Sequence, residues 1–227
     1  MSMINYSLTR SMRKTIAICV RNGSVEVRAP LLTPKSEIDE FVASKENWIT
    51  TKLTSSREQS ERRNSFSLKY GDTVLYRGKE YPIAAKEGNR IGFDDTAFYM
   101  PPNLTPEQIK SACVQIYRML AKRDLTIKTL YFASPMNVMP ADIKINGARA
   151  RWGSCSANKI INYSWRLIMA DDETIDYVVV HELAHLTEMN HSKQKFWALV
   201  ESVLPDYLER RAGLIKLQQK LGGEDWE

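Results

Sequence analysis

The chain has 227 residues and a mass of 26.1 kDa, with 43% apolar and 26% charged residues. That is material for one large domain or two small ones, and it excludes a fibrous repeat, a wholly disordered chain and a disulfide-stapled miniprotein. The net charge of +5 is uneven: residues 1–80 carry 14 Lys/Arg against 9 Asp/Glu, residues 81–150 carry 9 against 6, and residues 151–227 carry 9 against 12.

A basic front half can attract nucleic acid, nucleotides or an acidic partner, although a surplus of this size is also that of an ordinary solvated surface. Cys19, Cys113 and Cys155 are sparse, odd in number and free of any CxxC spacing, which reads as reduced thiols. No apolar run approaches the ~18 residues of a membrane span. The apolar stretch Thr15–Val20, behind Arg10, Arg13 and Lys14, is too short for a signal-peptide core. The expected location is therefore the cytoplasm, with no membrane contact. Nothing in the pattern specifies an oligomeric state.

In chain order, Thr15–Val20 and Ser24–Val27 read as strands joined at Asn22-Gly23, a strong hairpin signal. After Pro30 and Pro34, the residues Ile38, Phe41, Val42, Trp48 and Ile49 fall at helical spacing and predict one helix. The polar run Ser55–Ser65 reads as a solvated helix end or a linker. Tyr70–Ile83 alternates again, with turns at Gly71-Asp72 and Arg77-Gly78. These elements predict a β-rich module with one helix over residues 1–103.

A second composition starts at Leu104. Thr105 is placed to cap a helix and Pro106 to occupy its first position, and the pattern continues to about Ala133, before Pro135. Asp142–Ala148 and Ile160–Met169 read as strands, and residues 149–156 between them show no regular period. From Asp171 the chain is helical again, with Asp171, Asp172 and Glu173 suited to a helix N-terminus. Residues 104–227 thus form a second domain, and the whole is of α+β class.

The chemistry is concentrated at His181-Glu182-Leu183-Ala184-His185, an HExxH motif. Residues four apart on a helix differ by ~40°, so the two imidazoles share a face and can chelate a divalent metal, most often Zn2+. Another divalent transition metal would also suit such ligands. Glu182, one step from His181, can reach a water at the metal without being a ligand, which suits a general base. Ile175, Val178, Val179, Val180, Leu183, Ala184 and Leu186 make the helix apolar on nearly all sides, so its polar groups need a partner. The three histidines of the chain all lie between residues 181 and 191. His191 is the obvious third ligand. It must fold back, so the helix should end near Met189 or Asn190, with Asn190 or Ser192 capping the next one. The competing third ligand is Glu201 or Glu209. The spacing of the histidines also matches metzincins, but Glu188 stands where those enzymes have a glycine, and no methionine follows Met189 to form a Met-turn.

Arg149, Arg151 and Trp152 precede the strand expected at residues 160–169. A basic pair there can bind a substrate anion or stabilise developing negative charge. The bland alternative pairs Arg151 with Asp172 or Asp176 and packs Trp152 in the core. Cys155 is expected to be a buried thiol.

Four segments carry a family resemblance: Arg151–Ser156, Ile175–Leu186, Asn190-His191-Ser192 and Phe196-Trp197. With Val27–Pro30 and Trp48-Ile49 they resemble the YgjP-like family of metal-dependent hydrolases, related to SprT-like and WLM zincins. The resemblance implies a minimal zincin-like fold around the HExxH helix, three histidine ligands at His181, His185 and His191, and a glutamate base at Glu182. It implies a peptide substrate aligned on an edge strand, for which Ile160–Met169 is the candidate, with an ordinary core strand before the HExxH helix as the equal alternative for that segment. Two other functions stay open. One is a metal-dependent phosphohydrolase acting on nucleoside triphosphates, without a P-loop. The other is a non-enzymatic, nucleic-acid-linked adaptor using the basic module.

Overall fold

A computed structural model describes residues 4–21, 23–191 and 194–226. Asn22 of the expected hairpin turn and Ser192, an expected helix cap, lie outside the described residues. The chain forms two compact units, Met1–Phe66 with Gly222–Asp225 and Ser67–Leu221 with Trp226–Glu227.

The first unit contains strands β1 (Ser7–Ser11), β2 (Ala17–Arg21) and β3 (Ser24–Pro30), followed by helices α1 (Lys35–Ser44) and α2 (Glu46–Asn64). β2 and β3 pair antiparallel with Arg21 opposite Ser24, as a hairpin closed by two residues requires. β1, which the sequence did not announce, runs parallel to β3 on its other side. Val25, Val27 and Ala29 alternate inward on β3 and pack with Ile38, Val42 and Ile49 of the helices. The expected single helix is two, broken at Lys45, and the polar run Ser55–Ser65 continues α2 almost to its end. That run is rich in Arg, Glu and Gln, which are good helix formers, and contains no Gly or Pro. An i,i+4 pair between Glu58 and Arg62 supports it.

The second unit opens with a four-stranded sheet of order β4-β5-β7-β6, from β4 (Thr73–Tyr76), β5 (Lys79–Ala85), β6 (Gly92–Phe93) and β7 (Phe98–Met100). The Arg77-Gly78 turn joins β4 to β5 as expected. Helix α3 (Pro106–Ala133) starts with a full capping box, in which Thr105 Oγ1 accepts from Gln108 N and Gln108 Oε1 accepts from Thr105 N. Its buried face carries Ile109, Cys113, Ile116, Tyr117 and Leu120. Tyr117 donates to Leu75 O at 2.6 Å and packs its ring 5.0 Å from Phe98, while Tyr76 donates to the buried Asp124. These contacts gather residues 67–103, which the sequence reading had placed with the front module, onto the helices that follow. Trp226 joins the same core, its ring 5.5 Å from Tyr117 and 5.9 Å from Trp165.

A three-stranded sheet of order β8-β10-β9 leads to the site, formed by β8 (Asp142–Asn146), β9 (Gly153–Cys155) and β10 (Ile160–Ser164). β8 is parallel and β9 antiparallel to β10. This corrects the expectation for Ile160–Met169 twice. The strand ends at Ser164 and gives way to a 3-10 helix, Trp165–Met169. It is also the middle strand, as a core strand would be, with β8 and β9 at the two edges. Helices α4 (Asp172–Ala184), α5 (Gln194–Val203) and α6 (Tyr207–Leu221) complete the unit. Among the described residues, no helix is long and apolar enough to cross a membrane. All three cysteines are free.

Candidate metal centre

α4 is held at its start by Asp171, whose side chain accepts from Thr174 N at 2.7 Å. Ile175, Val178, Val179, Val180, Leu183 and Ala184 are buried, so the helix runs through the core and delivers His181 and Glu182 on its last turn. The helix ends at Ala184 with His185 as its C-cap, not near Met189 or Asn190 as expected. The difference has a geometric cause. Only five residues separate His185 from His191, and the chain must reverse early for the third imidazole to return. The reversal is closed by Leu186 N to Leu183 O at 3.0 Å and Glu188 N to Ala184 O at 2.9 Å.

The three imidazoles meet. His181 Nε2 and His191 Nε2 lie 3.0 Å apart, and one ring nitrogen from each of His181, His185 and His191 falls within 4.8 Å of the others. His185 Nδ1 donates to Glu188 O at 3.2 Å, which leaves its Nε2 as the lone-pair nitrogen. His181 Nδ1 lies 3.5 Å from the Tyr177 hydroxyl. Phe196, fully buried on α5, packs against all three rings at centroid distances of 4.7 to 5.0 Å. Trp197 Nε1 donates to His191 O at 2.8 Å and fixes the returning loop.

The electrostatics suit a cation. Burial, helped by His185, His191 and Arg211, pushes His181 down to about 3, and burial with His191 lowers His185 as well. Both imidazoles are therefore neutral at pH 7, the form that ligates metals. Glu182 is 5% exposed, its Oε2 has no hydrogen-bond partner among the described residues, and burial pushes its carboxyl up to about 8. A divalent cation beside it would favour the carboxylate and offset the burial cost. Three convergent imidazoles, with His181 and His185 held neutral, next to a buried carboxyl whose Oε2 is unpartnered among the described residues, thus fit a divalent metal. Gly153 of β9 lies against this carboxyl, and a Cβ there would stand 2.5 Å from Glu182 Oε1. Only glycine lets the edge strand approach so closely.

A family model described as the YgjP-like metallopeptidase domain matches residues 14–216. The chain belongs to the YgjP-like metallopeptidase family. No curated protein matches it. Two solved structures are similar over part of the chain. One is the metallopeptidase zymogen abylysin of Pyrococcus abyssi, with 19% identity, a TM-score of 0.39, and coverage of 42% of this chain and 95% of that one. The other is the metallopeptidase zymogen jannalysin of Methanocaldococcus jannaschii, with 21% identity, a TM-score of 0.37, and coverage of 43% and 97%.

For this YgjP-like protein the family supports a metal-dependent hydrolase of peptidase class, with a divalent metal that the histidine group could hold. Glu201 and Glu209 are exposed and stand outside that group. Arg149 and Arg151 are exposed, and Trp152 is half-buried rather than a core residue. Trp152 takes part through its backbone, where its carbonyl accepts from Ser164 N at 2.9 Å. Asp172 and Asp176 do not hold Arg151; they pair with Arg77, Lys128 and Arg210. Cys155, expected to be buried, is half-buried on β9, and burial with nearby Glu182 raises its thiol. Sequence reasoning missed the packing of Phe196 under the imidazoles, the Tyr177 contact and the approach of Gly153. Of these only Gly153 had a local signal, a glycine placed after Trp152 in a stretch of no clear period.

Proposed function

We propose that the protein is a zinc-dependent peptidase in which His181, His185 and His191 hold the metal and Glu182 is the general base. The observation that carries this reading is the buried Glu182 carboxyl, its Oε2 without a partner among the described residues, on the residue next to His181 of the convergent histidines. Zn2+ bound there would supply Lewis acidity, activating water and polarising the substrate carbonyl. Glu182 accepts the proton of the attacking water as the carbonyl carbon is attacked, then delivers it to the leaving amine nitrogen. Tyr177 and the Glu188 carbonyl orient the imidazoles from behind. The apolar packing of α4 and Phe196 keeps bulk water from the carboxyl.

The substrate would lie along β9. Ser156 N donates to Ile160 O and Ser164 N to Trp152 O, so in this antiparallel register the N–H and C=O of Gly153 and Cys155 point away from β10. An extended peptide could pair with that edge directly above Glu182. Arg149, Arg151 and Trp152, immediately upstream, are proposed to contact the same substrate. The nucleotide and nucleic-acid readings gain no support from the family or the site.

The test is a pair of measurements on zinc-loaded protein with unstructured polypeptide. Glu182→Gln should keep its metal by elemental analysis and lose turnover by at least about 100-fold. His191→Ala should lose metal as well as activity. A Gln variant cutting at the wild-type rate would remove Glu182 from the mechanism.

A further inference from the structure

Two consecutive arginines on α6 have opposite surroundings. Arg210 is tied down: its Nε lies 2.8 Å from Asp206 Oδ1, its guanidinium 3.7 Å from Asp176, and its carbonyl accepts from Thr174 Oγ1. Two residues on, Gly213 meets α4 so closely that a Cβ would stand 1.9 Å from Thr174 Oγ1. These contacts lock the rotation of α6 against α4. Arg211, turned ~100° from Arg210, points elsewhere. It is exposed, and among the described residues it forms no hydrogen bond or ion pair. Its guanidinium lies over the Trp197 ring, 5.8 Å from the centroid.

Trp197 connects this cation to the metal centre. Its ring is 5.9 Å from His181 and 6.2 Å from His191, and Tyr207, one turn before Arg211, stacks on it at 5.5 Å. A helix locked at Gly213 thus holds one uncommitted guanidinium beside the histidine cluster, on an aromatic shelf that limits its freedom.

We propose that Arg211 is a specificity-determining residue that binds a substrate carboxylate next to the cleaved bond. The proposal rests on the peptidase reading above. A planar guanidinium takes a carboxylate through two parallel hydrogen bonds, and Arg211 has all its donors available. A peptide offers that chemistry from two sources, its C-terminal carboxylate or an Asp/Glu side chain.

The experiment compares zinc-loaded wild type, Arg211→Ala, Arg211→Lys and Arg211→Glu on matched peptides. One pair differs in a free or amidated C-terminus, the other in Asp/Glu or Asn/Gln near the cleavage site. Binding of the same peptides to Glu182→Gln protein, by calorimetry, gives a readout independent of turnover. The wild type should show about tenfold lower KM and tighter binding for the charged member of one pair, with kcat little changed. The pair that responds identifies the source. Arg211→Ala should erase the preference, Arg211→Lys should keep part of it, and Arg211→Glu should reverse it. Equal handling of charged and neutral peptides by the wild type, or a preference that survives in Arg211→Ala, would overturn the proposal while leaving the peptidase reading intact. If the wild type cuts no peptide, the peptidase reading falls and takes this one with it.

Discussion

Glu182 concentrates the physical argument at the scale of single residues. Its carboxyl is raised from 4.5 to about 8, so the folded protein holds a proton that the unfolded chain has released. The sign follows. In metal-free protein this group contributes fully below about pH 4.5, and its contribution is lost as pH rises toward 8. His181, lowered from 6.5 to about 3, acts oppositely, losing its contribution as pH falls through that window. Replacing only the carboxyl separates the two. In chelator, Glu182→Gln should melt above the wild type at pH 8, by an amount that corresponds to a few kcal/mol, and the gap should shrink toward pH 5. A pH-independent gap would mean that the carboxyl has a partner. The convergence of His181 and His185 beside Glu182 could be read from the sequence because HExxH encodes its geometry locally, in the angular step of a helix, whereas His191 was inferred only from the clustering of all three histidines between residues 181 and 191. The position of Arg211 could not be read there, because its relation to His181 depends on how α4 and α6, with 22 residues between them, pack. Cys155 was assigned burial from residue type, whereas the edge strand that carries it leaves it only partly covered.

Elements with their own chemical punctuation read clearly. Thr105-Pro106 announced α3, and Asp171 announced α4. β9 stayed hidden because three residues cannot display a period, and β1 because its partner β3 lies a whole hairpin away. The end of α4 was misplaced because the tertiary demand on His191, rather than local propensity, ends that helix. The α4–α6 contact gives a test at this scale. Gly213→Ala should destabilise the protein by about 1–3 kcal/mol, since the new methyl meets Thr174 Oγ1. A chemical denaturation curve measures this, and Gly213→Ala combined with Thr174→Ala should recover part of the loss. An unchanged midpoint in the single variant would show that the helices can part without cost.

For the whole molecule, the sequence conveyed an α+β protein of the YgjP-like family, and the family match over residues 14–216 agrees. The change of composition at Leu104 marked a boundary near residue 103, but cores are drawn by contacts such as Tyr117 to Leu75, which no composition reveals. The brevity of β9 has a further consequence. Four main-chain groups face outward from Gly153 and Cys155. At a net ~1 kcal/mol per hydrogen bond, a strand paired there gains about 4 kcal/mol, equivalent to a dissociation constant near 1 mM. Such a rail would hold a passing chain only briefly and would let cleaved ends go as easily as it admits new ones. Residence long enough for chemistry must then come from side chains, so most polypeptides that touch this edge would leave whole.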